Sequence, residues 1–80
     1  SEAEPRLREA LAIEPGLVSA HCNLGLLLNK TGRADEALGH LLYAREQAPQ
    51  APAPLLSLAA SYQLLGQLEK AVEHYGIYLS

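Results

Sequence analysis

A spacing of 34 residues runs through this chain and limits its fold more than any other feature. Within residues 18–51, Leu24-Gly25 stands near the start, Gly32 at the middle, Ala37 and Leu41 in the second half, and Pro49 at the close. One period on, Leu58-Ala59, Gly66, Ala71 and Tyr75 take the same places. One period back, Ala3, Leu7, Ala10 and Pro15 fall under Ala37, Leu41, Ala44 and Pro49. A fixed period of this length marks a stacked repeat, in which no unit buries its apolar face alone and neighbour interfaces set stability. The chain therefore divides into residues 1–17 (the second helix of a truncated repeat), 18–51 (a full repeat) and 52–80 (a second repeat, truncated at its C-terminus). All three parts belong to one repeat domain, because 80 residues are too few for a large central core.

Five helices are expected. Over residues 2–13, Ala3, Leu7, Ala10 and Leu11 recur at helical spacing, with Pro5 in the first turn and Pro15-Gly16 as the stop. The helix that should pair with this one would precede it and is outside the sequence. A second helix runs from 17 or 18 to 30, with Leu24, Leu27 and Leu28 facing its neighbours and Gly32 beyond its end. Gly25 inside it costs about 1 kcal/mol against Ala, which points to close packing by another backbone. The third, 34–48, carries Asp35 and Glu36 in its first turn and Arg45 in its last, where the helix dipole favours them. Pro49, Pro52 and Pro54 admit an exposed proline-rich ligand, but the repeat phase places them at a helix end and in the next first turn. That fourth helix covers 52–65, and the fifth runs from Leu68 to the end, with Ala71, Val72, Tyr75 and Leu79 on one stripe. Period-two alternation is missing, so strands have no support.

Composition closes off several functions. A net charge of −3 argues against nucleic acid, which calls for a basic footprint. No apolar run reaches the roughly 18–20 residues of a membrane span, and the first residues have neither the basic nor the apolar region of a signal peptide; the compartment stays open. Cys22 is the single cysteine, so neither an intrachain disulfide nor a cysteine-based metal site is available. Its neighbour His21 diverges from it on a helix, and no Gly-rich phosphate loop or Ser-His-Asp arrangement is present. His40 and His74 are one period apart on the outer faces of consecutive second helices, expected about 10 Å from each other and solvated rather than bridged by metal. No catalytic residue, cofactor or metal is expected.

The pattern resembles the tetratricopeptide repeat family over essentially the whole chain. The full unit reads His21-x-x-Leu24-Gly25-x-x-Leu28, then Ala37-x-x-x-Leu41, Ala44 and Pro49; the next reads Leu55-x-x-Leu58-Ala59-x-x-Tyr62, then Ala71-x-x-x-Tyr75. His21 and Leu55 depart from the family's first aromatic, Ala59 from its Gly, and Tyr78 from a usual Ala, which should leave the last helix outward or at a surface. The resemblance implies an all-α, right-handed solenoid of helical hairpins. In it, small residues at Gly25, Ala37, Ala59 and Ala71 set the closest contacts within a hairpin, while Leu24, Leu28, Leu58 and Tyr62 wedge neighbouring units.

The resemblance also implies that the first helix of each unit lines a concave groove holding a peptide of another protein. Its positions here are Ser19, Cys22, Asn23, Leu26, Asn29 and Lys30, then Ala53, Leu56, Ser57, Ala60, Gln63 and Leu64. Asn23 matches a place where related proteins use an Asn on the ligand backbone; an amide serves a donor and an acceptor together. A family variant clamps chaperone C-termini with cationic groove residues, but Cys22, Leu26, Ala53 and Ser57 stand at those positions. The expected function is a protein–protein interaction module or scaffold; the alternative is a structural spacer or oligomerisation segment of a larger protein. The expected partner is a protein or peptide, or a second copy meeting the exposed end helices, with neither nucleic acid nor membrane insertion.

Overall fold

A computed structural model describes residues 2–80; Ser1, where the first segment begins, lies outside the described residues. The fold is all-α, with no strand among the described residues. The helices are α1 (Ala3–Ile13), α2 (Val18–Lys30), α3 (Ala34–Gln47), α4 (Pro52–Leu64) and α5 (Leu68–Leu79). The expected boundaries differ only at Glu2, Ala48 and Leu65, each of which flanks a helix as its cap.

The turns repeat with the sequence. Gly32 and Gly66 both take φ of +77°, a left-handed backbone that only glycine adopts without steric cost. At the first, the Gly32 N–H donates to Asn29 O and the Arg33 N–H to Leu28 O; at the second, Gly66 donates to Gln63 O and Gln67 to Tyr62 O. This is the Schellman arrangement, which satisfies carbonyls a helix end leaves orphaned. The longer connections match as well: Glu14 N–H donates to Ala10 O and Leu17 N–H to Glu14 O, as Ala48 does to Ala44 O and Ala51 to Ala48 O. Pro52 opens α4 after an extended Ala51, so the prolines sit where their missing N–H is tolerated.

Each helix packs on the next along the chain, and α2 also meets α4. The core is Leu24 and Leu28 of α2, Ala37 and Leu41 of α3, Leu58 and Tyr62 of α4, and Ala71 of α5. Gly25 packs against Leu41: a methyl group added there would lie 2.4 Å from Leu41 Cγ, inside any tolerable contact. The side chain that demands the glycine is thus Leu41 rather than the smaller Ala37. Leu7 and Leu11 of α1 lean on this core half-buried. Four charges fasten α1 from outside. Arg33 grips the Glu4 carboxylate with both terminal nitrogens, at 2.7 and 2.8 Å, and Arg8 bonds both Glu4 and Glu36. The guanidinium groups hold both carboxyls below the ordinary carboxylate range, Glu4 chiefly through Arg33 and Glu36 chiefly through Arg8.

Candidate functional site

A solvent-open groove of about 450 Å³ runs between α1 and α2. Its α1 wall is Ala3, Arg6 and Leu7, and its α2 wall is Asn23, Leu26, Leu27 and Lys30. Helical spacing explains the second wall: Asn23, Leu26, Leu27 and Lys30 are three or four residues apart and share a face. The walls are apolar at Leu7, Leu26 and Leu27. The rim carries the Asn23 amide, which can both donate and accept, and the cations Arg6 and Lys30.

Three residues expected in a ligand groove therefore do line one: Asn23, Leu26 and Lys30. Two others have a different place. Asn29 and Ser57 are each 8% exposed and closed into the α2–α4 contact. The Asn29 Nδ2 donates to the Ser57 carbonyl at 3.1 Å, and the Ser61 hydroxyl donates to Asn29 Oδ1 at 2.7 Å. Their polarity made them look like surface residues, but paired with each other they join two helices with no buried polar atom left unmet. Outside the groove lie Ser19 and Leu56, both exposed, and half-buried Ala60; Gln63 is exposed and accepts from the Tyr75 hydroxyl. Cys22 is half-buried against the core, and that burial pushes its thiol pKa up, away from thiolate chemistry. The α1 wall was not anticipated. Its signal was available one period on, since Ala3, Arg6 and Leu7 correspond to Ala37, His40 and Leu41, which α2 covers.

The histidines also depart from expectation. His40 does not stand as a solvated partner of His74. It is half-buried, and its Nδ1 lies 3.0 Å from Nδ1 of His21. The His21 Nε2 is 2.7 Å from the Pro15 carbonyl, which can only accept, so Nε2 carries a proton. In neutral His21 that leaves Nδ1 as an acceptor and makes His40 Nδ1 the donor. Tyr43 packs its ring at 4.5 Å from His21. Burial is the main reason the His40 pKa is lowered, with His21 and Arg8 adding to it and Glu36 opposing. His74 instead packs on the Tyr62 ring and reaches the Lys70 carbonyl. Two ring nitrogens make a hydrogen bond here; among the described residues no three His, Cys, Asp or Glu converge as a metal-ligand set. No described helix is long and apolar enough to cross a membrane. Compared with protein-family models, with curated proteins and with solved structures, the chain matches none.

Proposed function

We propose that this chain is a tetratricopeptide-like solenoid segment that works as a protein–protein interaction module, taking a peptide of another protein beside α2. The observation that carries this reading is the α1–α2 groove, apolar along its walls and ringed by one amide and two cations. Apolar walls supply binding free energy in proportion to area removed from water, and a few polar groups fix orientation. Support for the repeat architecture comes from the turns, whose hydrogen bonds recur at the period of the sequence. The reading includes no catalytic step: the single thiol is held protonated by burial. Arg6 and Lys30 favour a ligand with carboxylates flanking an apolar stretch.

The test is titration of the isotope-labelled chain with a peptide library, followed by NMR. Saturable shifts at Asn23, Leu26 and Lys30 support the reading. A library without a single hit at those residues favours a spacer. A second reading, self-association, draws on the other end of the molecule, where Leu64, Leu68, Val72 and Leu79 are exposed.

A further inference from the structure

The groove beside α1 corresponds, one period back, to the space that α2 itself fills beside α3. Ala3, Arg6 and Leu7 precede Ala37, His40 and Leu41 by 34 residues. All three of those later residues lie under α2: Ala37 and Leu41 join Leu24 and Leu28 in the core, and His40 meets His21. The other wall matches too. Asn23 and Leu27 precede Ser57 and Ser61, which α2 closes over with Asn29. Exposure follows the missing cover. Leu41 and Ser61 are 0% exposed, whereas Leu7 and Leu27 are only half-buried.

We propose that this groove takes an α-helix supplied by a partner protein, seated against α1 and α2 as α2 is seated against α3 and α4. The inference deepens the peptide-binding reading and rests on it, and it adds the form and the side chains of the ligand. The α2 contacts define that chemistry position by position. The helix carries a glycine or alanine above Leu7, because Gly25 above Leu41 leaves no room for a methyl group and Leu7 is the same residue type. It has leucines one residue before and three after that small residue, as Leu24 and Leu28 flank Gly25. Four residues before it, where His21 faces His40, the partner meets Arg6, and a carboxylate fits. Four after it, where Asn29 takes the Ser61 hydroxyl, the partner meets Leu27, and an apolar side chain fits. An acidic residue, then Leu-Gly three residues later, then Leu and an apolar residue is therefore the face this groove accepts.

The probe is a blocked peptide of the α2 sequence, residues 18–30, carrying His21→Glu, Cys22→Ser and Asn29→Leu, and stapled on its outer face because so short a helix is marginal alone. Titrated into the labelled 80-residue chain, it should shift Leu7, Leu26 and Leu27 saturably. A Gly25→Leu version of the peptide should bind about ten- to a hundredfold more weakly, the effect of overpacking so close a contact. The chain variant Leu26→Glu, altered at an exposed position, should weaken the first peptide while keeping its own melting temperature. Equal binding by the Gly25→Leu peptide overturns the proposal. So do shifts centred on Leu41 and Leu58, which would mean that the peptide displaces α2. An unstapled peptide with Pro in place of Leu27 that binds the groove equally well overturns the helical occupant and leaves the peptide-binding reading standing. No binding by any of these peptides also overturns the helical occupant; hits from the library at Asn23 and Leu26 would still uphold peptide binding.

Discussion

Two glycines on neighbouring helices separate packing from propensity. Gly25→Ala gains the roughly 1 kcal/mol that Ala holds over Gly within a helix. Against that, the new methyl group meets Leu41 Cγ, which is not a free chain end that can swing aside. Overpacking of this kind costs about 1–3 kcal/mol, so the variant should lose up to about 2 kcal/mol. Gly39→Ala meets nothing within 4 Å and should gain about 0.5–1 kcal/mol. Thermal melts that move both variants in the same direction would contradict the Gly25–Leu41 contact. His40 offers a second measurement at this scale. Its folded pKa lies below the ordinary value of 6.5, so its neutral form is the one that suits the fold. The unfolded chain takes up this proton first as pH falls. The contribution is therefore full above about pH 6.5 and is lost as pH falls through 6.5 toward the lower folded value. The neighbours sharpen the loss: His21 and Arg8 bring positive charge, Glu36 offsets part of it, and two charged rings would set N–H against N–H. In His40→Gln, melting temperature should vary less between pH 7 and pH 5 than in the parent chain; an unchanged slope would mean that His40 titrates freely.

Helix α1 is the element held least by burial. None of its residues is fully buried, and it meets the other helices only through α2 and the charges of Glu4, Arg8, Arg33 and Glu36. Both carboxyls have folded pKa values below the ordinary 4.5, so what they contribute is present above about pH 4.5 and disappears as pH falls through their lower folded values. Salt screens the same partly exposed pairs. Acid or molar salt should therefore raise amide exchange at Leu7 and Leu11 ahead of Leu38 and Leu41 in α3, and Glu4→Gln should do so at neutral pH. Uniform exchange across both helices would show that the ion network does not select α1. The elements themselves were legible in the sequence, because each boundary rests on a local signal: Gly32 and Gly66 after helices, prolines in first turns, acids near N-termini. Contacts between elements were legible only in part. Asn29 and Ser57 read as groove residues because a polar side chain on a helix face carries no mark of a partner across the α2–α4 contact. Likewise, the apolar residues of α1 look the same from sequence whether a helix covers them or leaves a groove. Only the comparison of Leu7 with Leu41, one position half open and the other closed, separates the two.

At the scale of the whole molecule, stacking one layer on the next leaves two unlike ends. The groove belongs to α1 and α2, while the far end presents Leu64 at 60%, Leu68 at 62%, Val72 at 69% and Leu79 at 80% exposure on α4 and α5. These apolar residues are not interrupted by enough charge to keep copies apart, since the net charge is only −3. Stacked repeats normally end in a helix with a polar outer face. Concentrated solutions should therefore contain dimers formed through α5, visible in sedimentation velocity as a weight-average mass that rises with protein concentration. Val72→Glu should return the chain to a monomer with stability changed by no more than about 0.5 kcal/mol, because an exposed side chain loses little on substitution. Leu26→Glu, in the groove, should leave the dimer intact, since neither wall of the groove belongs to α4 or α5. A strict monomer at every concentration would remove association through this end. Dimers that dissolve in Leu26→Glu but persist in Val72→Glu would instead place the second copy in the groove, making this chain its own ligand.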